Sequence, residues 1–463
     1  MSGRMDLTRT IATWAASQAG KSLPSPVEGH LRRMVLDHLG GVVASSVGEV
    51  SAAVAKHVQR MYGPGPATAI GHGRTTVLGA AVINGTNGHG IEADDGYTPG
   101  SFHPTSVILP AVFAVGQQRG STADDIIRAA AIGMEIGCRI AAAGHPATRR
   151  NHFHNTPVAG VFGAAAAVGV LMELDSDAMA NALGIAGSHS SGIFEFLGTA
   201  AEVKRFHPGK AARDGIASAD LAEAGLTGPT TVLEGRDGYF ATYAGQEGVD
   251  WSADKLLAGL GERWLVLDTY IKPYPCCRHL HGAIDAVLEL RARHAIDWRD
   301  VERLEVGTFA IAAGHDGTDV STVIGAQLSM PYALAVALRR GGVTLADFGP
   351  EARASEEVAG LMPRISVSDD AAATEAYPNN GRPAEVAITL SSGEVVSHRV
   401  EFPYGERVNP MSNDDLETKV RRLVEPVIGE SGAKLLIDSA WNFENLAFLD
   451  EVDALVRSGS ASR

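Results

Sequence analysis

Residues able to move protons or hold a carboxylate gather in five short stretches of an otherwise apolar chain. "HGIEADDGYTPGSFHPTSVILPA" places Glu92, Asp94 and Asp95 ahead of a Gly- and Pro-rich loop carrying His103. "RNHFHNTPVAGVFGAA" sets His152 and His154 before an alanine-rich run. "EVKRFHPGKAARDG" holds Lys204, Arg205, His207 and Lys210 at a helix start. "YIKPYPCCRHLHGAID" holds Lys272, Arg278, His279 and His281, and "QLSMPYALA" holds Ser329 and Tyr332. Cations such as Lys204, Lys272 and Arg278 suit carboxylate substrates. His103 and His154 can exchange protons near neutral pH, and Tyr332 can donate a hydrogen bond. Together they fit proton abstraction next to a carboxylate, with cations stabilising the enolate-like charge.

Each stretch also has a plainer reading. A histidine near a helix start often serves structure, and His103 could simply cap the helix that opens near Pro104. Cys276-Cys277 reads as packing, since nothing in the sequence marks a depressed thiol pKa. A metal site is not expected. No H-E-x-x-H occurs, and the pairs His152/His154 and His279/His281 are two residues apart, which on a helix points them to different faces. No P-loop and no G-x-G-x-x-G is present, which argues against a nucleotide.

The elements that must position these residues follow from periodicity and turn signals. Residues 1–268 read as mostly helical. Ser25-Pro26 opens an amphipathic helix with Leu31, Met34, Val35 and Leu39 on one face. Ser121 or Thr122 caps another, with Asp124 and Asp125 in its first turn. "GKAARDGIASADLAEAG" is a third, closed by Gly225. The uninterrupted apolar run from Val158 to Met172 is shorter than the roughly 20 residues of a membrane span and reads as a buried helix. From 269 to 402 short strands enter: "VERLEVGTFAI", "RISVS" and a hairpin, "PAEVAITLSSGEVVSHRVEF", turning at Ser391-Ser392-Gly393. Residues 403–463 return to a helical pattern. The expected fold is mainly α with α+β: a large all-helical domain (1–268 and 403–463) interrupted by a smaller inserted α+β domain (269–402).

The 463 residues are 45% hydrophobic and 20% charged, which is globular composition. Aromatics are scarce at 6% while Ala and Gly are abundant, so helices are expected to pack closely. A net charge of -15 argues against a nucleic-acid partner. Three cysteines without a C-x-x-C pair make neither a disulfide framework nor a zinc signature. The opening "MSGRMDLTRTIATWAASQAG" lacks the apolar core of a signal peptide. No membrane association is expected, and a cytoplasmic location is.

At these stretches the chain resembles the MmgE/PrpD family, which includes 2-methylcitrate dehydratase, cis-aconitate decarboxylase and iminodisuccinate epimerase. The resemblance spans about residues 5–450. It rests on "NGTNGHGIEADDG" with "HPTSVILPA", "HNTPVAGVFGAAAAVG", "VKRFHPGKAARDGIASADLAEAGLTGP", "IKPYPCCRHLHGAIDA", "QLSMPYALA" and "NPMSNDDLETKV". It implies a helical domain, an α+β lid, a homodimer, an active site between the domains and no metal or organic cofactor. By position it implies catalytic roles for His103, His154, Lys204 and Tyr332. The residues expected to bind substrate are Asp94, Asp95, Lys272, Arg278 and His281. Two departures stand out. The decarboxylase and methylcitrate dehydratase branches carry Asp-aromatic-Asp/Asn-Asp-Thr before the loop histidine, where this chain has Glu92-Ala93-Asp94-Asp95-Gly96. The decarboxylase branch carries a histidine five residues after the lid lysine, where this chain has Cys277.

The expected activity is therefore a cofactor-independent lyase on a small di- or tricarboxylic acid, first a dehydratase. The alternatives are an epimerase of an imino- or amino-dicarboxylate such as iminodisuccinate, a cis-aconitate-type decarboxylase, and a catalytically silent binding protein.

Overall fold

The computed structural model describes residues 6–196, 201–377 and 381–461. Helices dominate, and six strands form two small sheets. The chain divides into two compact units. The first comprises the chain up to Gly90, Asp94–Thr269 and the segment from Asn413 onward. The second comprises Tyr270–Ser412 and three residues of the acidic loop, Ile91–Ala93.

The centre of the first unit is the helix Asn155–Leu171, whose alanine-rich run is buried all round. It packs against the helices Ala123–Gly144, Val203–Glu223, Thr105–Arg119 and Ser176–His189. Small residues permit this. A Cβ on Gly133 would lie 2.6 Å from the Gly163 carbonyl oxygen, and one on Gly215 would lie 2.4 Å from Ala164 Cβ. The capping signals work locally. Thr122 caps Ala123–Gly144 in a reciprocal capping box with Asp125. The helix Ser25–Ser45 carries Pro26 in its first turn, but no side chain caps it. Arg139 is fully buried on Glu135 at 2.7 Å and donates to the carbonyls of Leu256, Ala258 and Arg263, which fixes the segment before the second unit begins. One hairpin breaks the helical pattern. In "GPGPATAIGHG", β1 (Ala67–Ala69) pairs with β2 (Gly73–Thr75), its turn using left-handed Gly71 and Gly73. Three-residue strands are too short to leave a period in the sequence.

The second unit is built on a four-stranded sheet in the order β4-β3-β5-β6. These are β3 (Val301–Thr308), β4 (Ile365–Asp369), β5 (Ala384–Leu390) and β6 (Val395–Val400). β3 runs parallel to β4 and antiparallel to β5. The expected hairpin has Ala384 opposite Val400 and Thr389 opposite Val395, with Gly393 at φ 84° in its turn. The helices His281–Arg293 and Met330–Arg340 pack with the sheet around Leu304, Val306, Val386 and Ile388. The backbone of Ile271 donates to Gly405 O at 3.1 Å, so residues near 405 are tied to the start of this unit. Among the described residues, no single helix is long and apolar enough to cross a membrane.

Candidate active site

In the first unit, four helix ends bring five polar residues of the sequence reading together and add two more. The helix Val77–Gly88 ends at His89. Thr105–Arg119 begins after His103-Pro104, Asn155–Leu171 begins after His154, and Val203–Glu223 opens with Lys204 and carries His207 one turn later. Two of these helices cross where glycine meets glycine. A Cβ on Gly85 would lie 2.6 Å from Gly209 Cα, and one on Gly209 would lie 2.3 Å from Val82 O. That close approach sets His89 beside the start of the Lys204 helix. Pro208 has no N–H to return to the Lys204 carbonyl.

Asp94 is the hub. Its Oδ2 accepts from His89 Nδ1 at 2.6 Å, lies 3.2 Å from His103 Nδ1, and accepts from Ser106 Oγ at 3.1 Å. His103 Nδ1 is also 2.6 Å from the carbonyl oxygen of Asp95. A ring nitrogen between a backbone carbonyl and a carboxylate must carry the proton. The Nε2 of neutral His103 therefore presents a lone pair. His103 does not cap the following helix, whose N-cap Pro104 has no side-chain bond. Its loop is pinned rather than loose: Tyr97 N donates to Phe102 O at 2.7 Å and Asn155 Nδ2 to Gly100 O at 2.6 Å.

The other histidines form a buried row. The His89 ring lies 4.8 Å from that of His103 and 6.3 Å from that of His154, and His154 Nδ1 is 3.0 Å from His207 Nδ1. Burial, then the charges of neighbouring histidines and of Lys204, push His154 well below its ordinary range and His207 down to about 4. His89 is lowered too, chiefly by burial and against the pull of Asp94. The row is neutral at neutral pH. The side chain of His103 keeps 18% of its surface exposed, while those of His89 and Asp94 keep 0% and 1%, so His103 is the open end of the chain of contacts. Phe194 and Phe196 pack on His154.

Asp95, expected to bind substrate, has an internal partner on one oxygen. Its Oδ1 accepts from the backbone N–H and the hydroxyl of Thr105, and burial raises its pKa against the pull of those bonds.

The second unit holds the remaining nominees. Lys272 is buried and donates to Glu92 O at 3.1 Å, with Glu92 Oε2 at 3.5 Å. Glu92 sits at φ 57°, a left-handed conformation uncommon for a residue with a Cβ. Arg278 is engaged throughout: with Glu406 at 3.0 Å, with the carbonyls of Pro403 and Tyr404, and with His281 Nδ1 at 2.9 Å. His281 is fully buried and its Nε2 meets Cys276 O at 3.3 Å. Tyr332 lies in the apolar core, where its hydroxyl donates to Asp347 O at 2.5 Å and burial with Asp347 pushes its pKa up to about 12. The geometry gives Arg278, His281 and Tyr332 internal partners rather than an open face.

Sequence spacing did not single out His89, His207 or Glu92 for these roles. The signals were present. His207 follows Lys204 by three residues on one helix, and His89 precedes Asp94 by five across a glycine turn. Among the described residues, two sets bring ligand-capable atoms within 4.8 Å of one another: His89, Asp94 and His103, and Cys277, His279 and His315. In the first set the protonated Nδ1 of His103 faces oxygen, an arrangement of hydrogen bonds rather than of metal ligands. The second set was invisible to spacing because His315 is remote in sequence.

The MmgE/PrpD N-terminal domain matches residues 9–252 and the C-terminal domain of that name matches residues 274–445. The chain belongs to the MmgE/PrpD family. This MmgE/PrpD protein is 29% identical over 470 residues to a cis-aconitate decarboxylase of Aspergillus terreus, covering 95% of this chain and 94% of that one. It is 27% identical to the cis-aconitate decarboxylase-like protein oryM of Aspergillus oryzae, over 97% of both chains. A cis-aconitate decarboxylase of Homo sapiens is 26% identical, over 98% of this chain and 95% of that one.

Proposed function

We propose that this protein is a cofactor-independent lyase of a small di- or tricarboxylic acid, working by proton abstraction at the carbon next to a carboxylate. The observation that carries this reading is the His103 imidazole. Its Nδ1–H is held by Asp94 and the Asp95 carbonyl, so Nε2 is the acceptor, and Asp94 stabilises the imidazolium formed when the proton arrives. The Lys204 cation, close enough to lower three neighbouring histidines, offsets the enolate-like charge left on the substrate. On a β-hydroxy acid the C–O bond then breaks, and the hydroxide leaves as water with the proton carried by the His103 imidazolium. Because the first step takes a proton from the substrate to His103 Nε2, dehydration is the first reaction to test.

Decarboxylation is the second reading, supported by the names of full-length relatives at 26–29% identity. Incubation with citrate-like hydroxy acids, cis-aconitate and aspartate-derived acids in deuterated water, followed by NMR, separates the two. Loss of water supports the first and loss of carbon dioxide the second. Deuterium exchange without net conversion would replace both with an epimerase, and inertness across the panel would overturn the catalytic reading. Turnover should survive prolonged treatment with a chelator. The family resemblance leads us to expect a homodimer, which light scattering would report as twice the 48.3 kDa chain mass.

A further inference from the structure

We propose that Cys277, His279 and His315, in the second unit, form a binding site for one Zn2+ ion. Their ligand-capable atoms lie within 4.8 Å of one another, and Cys277 Sγ is 3.6 Å from His315 Nε2. Tetrahedral zinc with bonds of about 2.3 Å to sulfur and 2.0–2.1 Å to nitrogen sets sulfur and nitrogen about 3.6 Å apart. The observed separation is already that of a ligand edge.

The ring orientations are built rather than accidental. In its neutral form His315 donates Nδ1–H to Leu328 O at 3.1 Å, and Nε2, 3.6 Å from the sulfur, then carries the lone pair a metal would take. A carbonyl on the far nitrogen is the usual support of a metal-bound histidine. The backbone of His315 is held as well, its carbonyl accepting from Met330 N at 2.8 Å. The His279 ring stands edge-on to Phe309 and Tyr377, which are themselves stacked 4.2 Å apart. Its Nδ1 is buried without a hydrogen-bond partner among the described residues, a state that costs free energy unless a ligand takes the lone pair. Cys277 is fixed by its backbone N–H on Gln327 O at 2.9 Å. One thiolate and two imidazoles suit a borderline-soft divalent ion and leave a fourth position for water or a ligand.

The test uses the full chain, stripped with chelator and titrated with Co2+ as a spectroscopic stand-in and then with Zn2+. We expect one equivalent of cobalt, a thiolate-to-cobalt absorption in the near ultraviolet, and its loss as Zn2+ displaces the cobalt. Cys277→Ser should abolish the band. His279→Gln and His315→Gln should each weaken binding by at least the roughly 10-fold that loss of an outer-shell partner costs. A second readout needs no variant: Zn2+ should protect Cys277 from alkylation, as mapped by peptide mass. Absence of a thiolate band with cobalt in excess, persistence of the band in Cys277→Ser, or alkylation unaffected by Zn2+ would each overturn the site. Turnover is not the readout, so failure here leaves the lyase reading untouched, and the reverse also holds.

Discussion

His103 and Asp95 are neighbours in one loop with opposite protonation logic. His103 has its Nδ1–H fixed and its Nε2 open, so His103→Gln should keep the contacts to Asp94 and the Asp95 carbonyl while losing the proton acceptor. Turnover is expected to fall by roughly 100-fold or more with little change in thermal stability. Near-normal turnover would move the base to another residue. Burial raises the pKa of Asp95. A carboxyl whose folded pKa is raised contributes fully below its unfolded pKa, and that contribution is lost as pH rises toward the folded value. Asp95→Asn removes the loss while an amide oxygen still accepts from Thr105. The variant should therefore gain stability relative to the natural protein between pH 5 and pH 8 in denaturant titrations. A gain that shrinks over that interval would show Asp95 to be ionised in the fold.

At the scale of elements, the glycine crossing decides whether the histidines meet. Gly209→Ala would put a Cβ 2.3 Å from the Val82 carbonyl oxygen, a backbone atom that cannot swing aside. We expect a destabilisation of about 1–3 kcal/mol and a fall in turnover as Lys204 and His207 move away from His89. Gly29→Ala is the control. Gly29 is exposed inside the helix Ser25–Ser45, and a Cβ there meets nothing within 4 Å. That substitution should stabilise by about 0.5–1 kcal/mol through helix propensity alone. Equal responses at the two positions would mean that the crossing is not under steric control. The hairpin β5–β6 and the capped helix Ala123–Gly144 were legible in the sequence because alternation and a Thr-x-x-Asp cap are local signals. The pair β1–β2 was not, since three residues per strand cannot show a period.

For the molecule as a whole, buried neutral histidines set the response to acid. Burial is the first cause that pushes His38 down to about 3 and His145 and His207 down to about 4, and it also lowers His72, His89, His154, His279 and His281. Each takes up a proton in the unfolded chain near pH 6.5 but only at lower pH when folded. The stability they contribute is present above pH 6.5 and lost as pH falls from there toward 4. The raised groups Asp95, Glu135, Asp285 and His315 act in the opposite sense but are fewer. Denaturant midpoints should therefore drop between pH 7 and pH 5, each histidine adding up to about 1.4 kcal/mol per pH unit. A midpoint that is flat or rising over that range would contradict the neutral assignment.

The sequence by itself determined what repeats locally. It determined the helical majority, the four-stranded insertion with its Ser-Ser-Gly turn, the family, and the polar residue types suited to carboxylate chemistry. Residue type and the family resemblance named His103, His154, Lys204 and Asp94. Only the tertiary structure decided their partners. His89 and His207 joined the row through a glycine contact between helices more than a hundred residues apart in the chain. Arg278, His281 and Tyr332 were drawn into internal hydrogen bonds, because a polar atom carried into a core must find a partner there. Spacing reports which side chains share an element. It does not report which atoms meet across elements, and Cys277 with His315 is such a meeting.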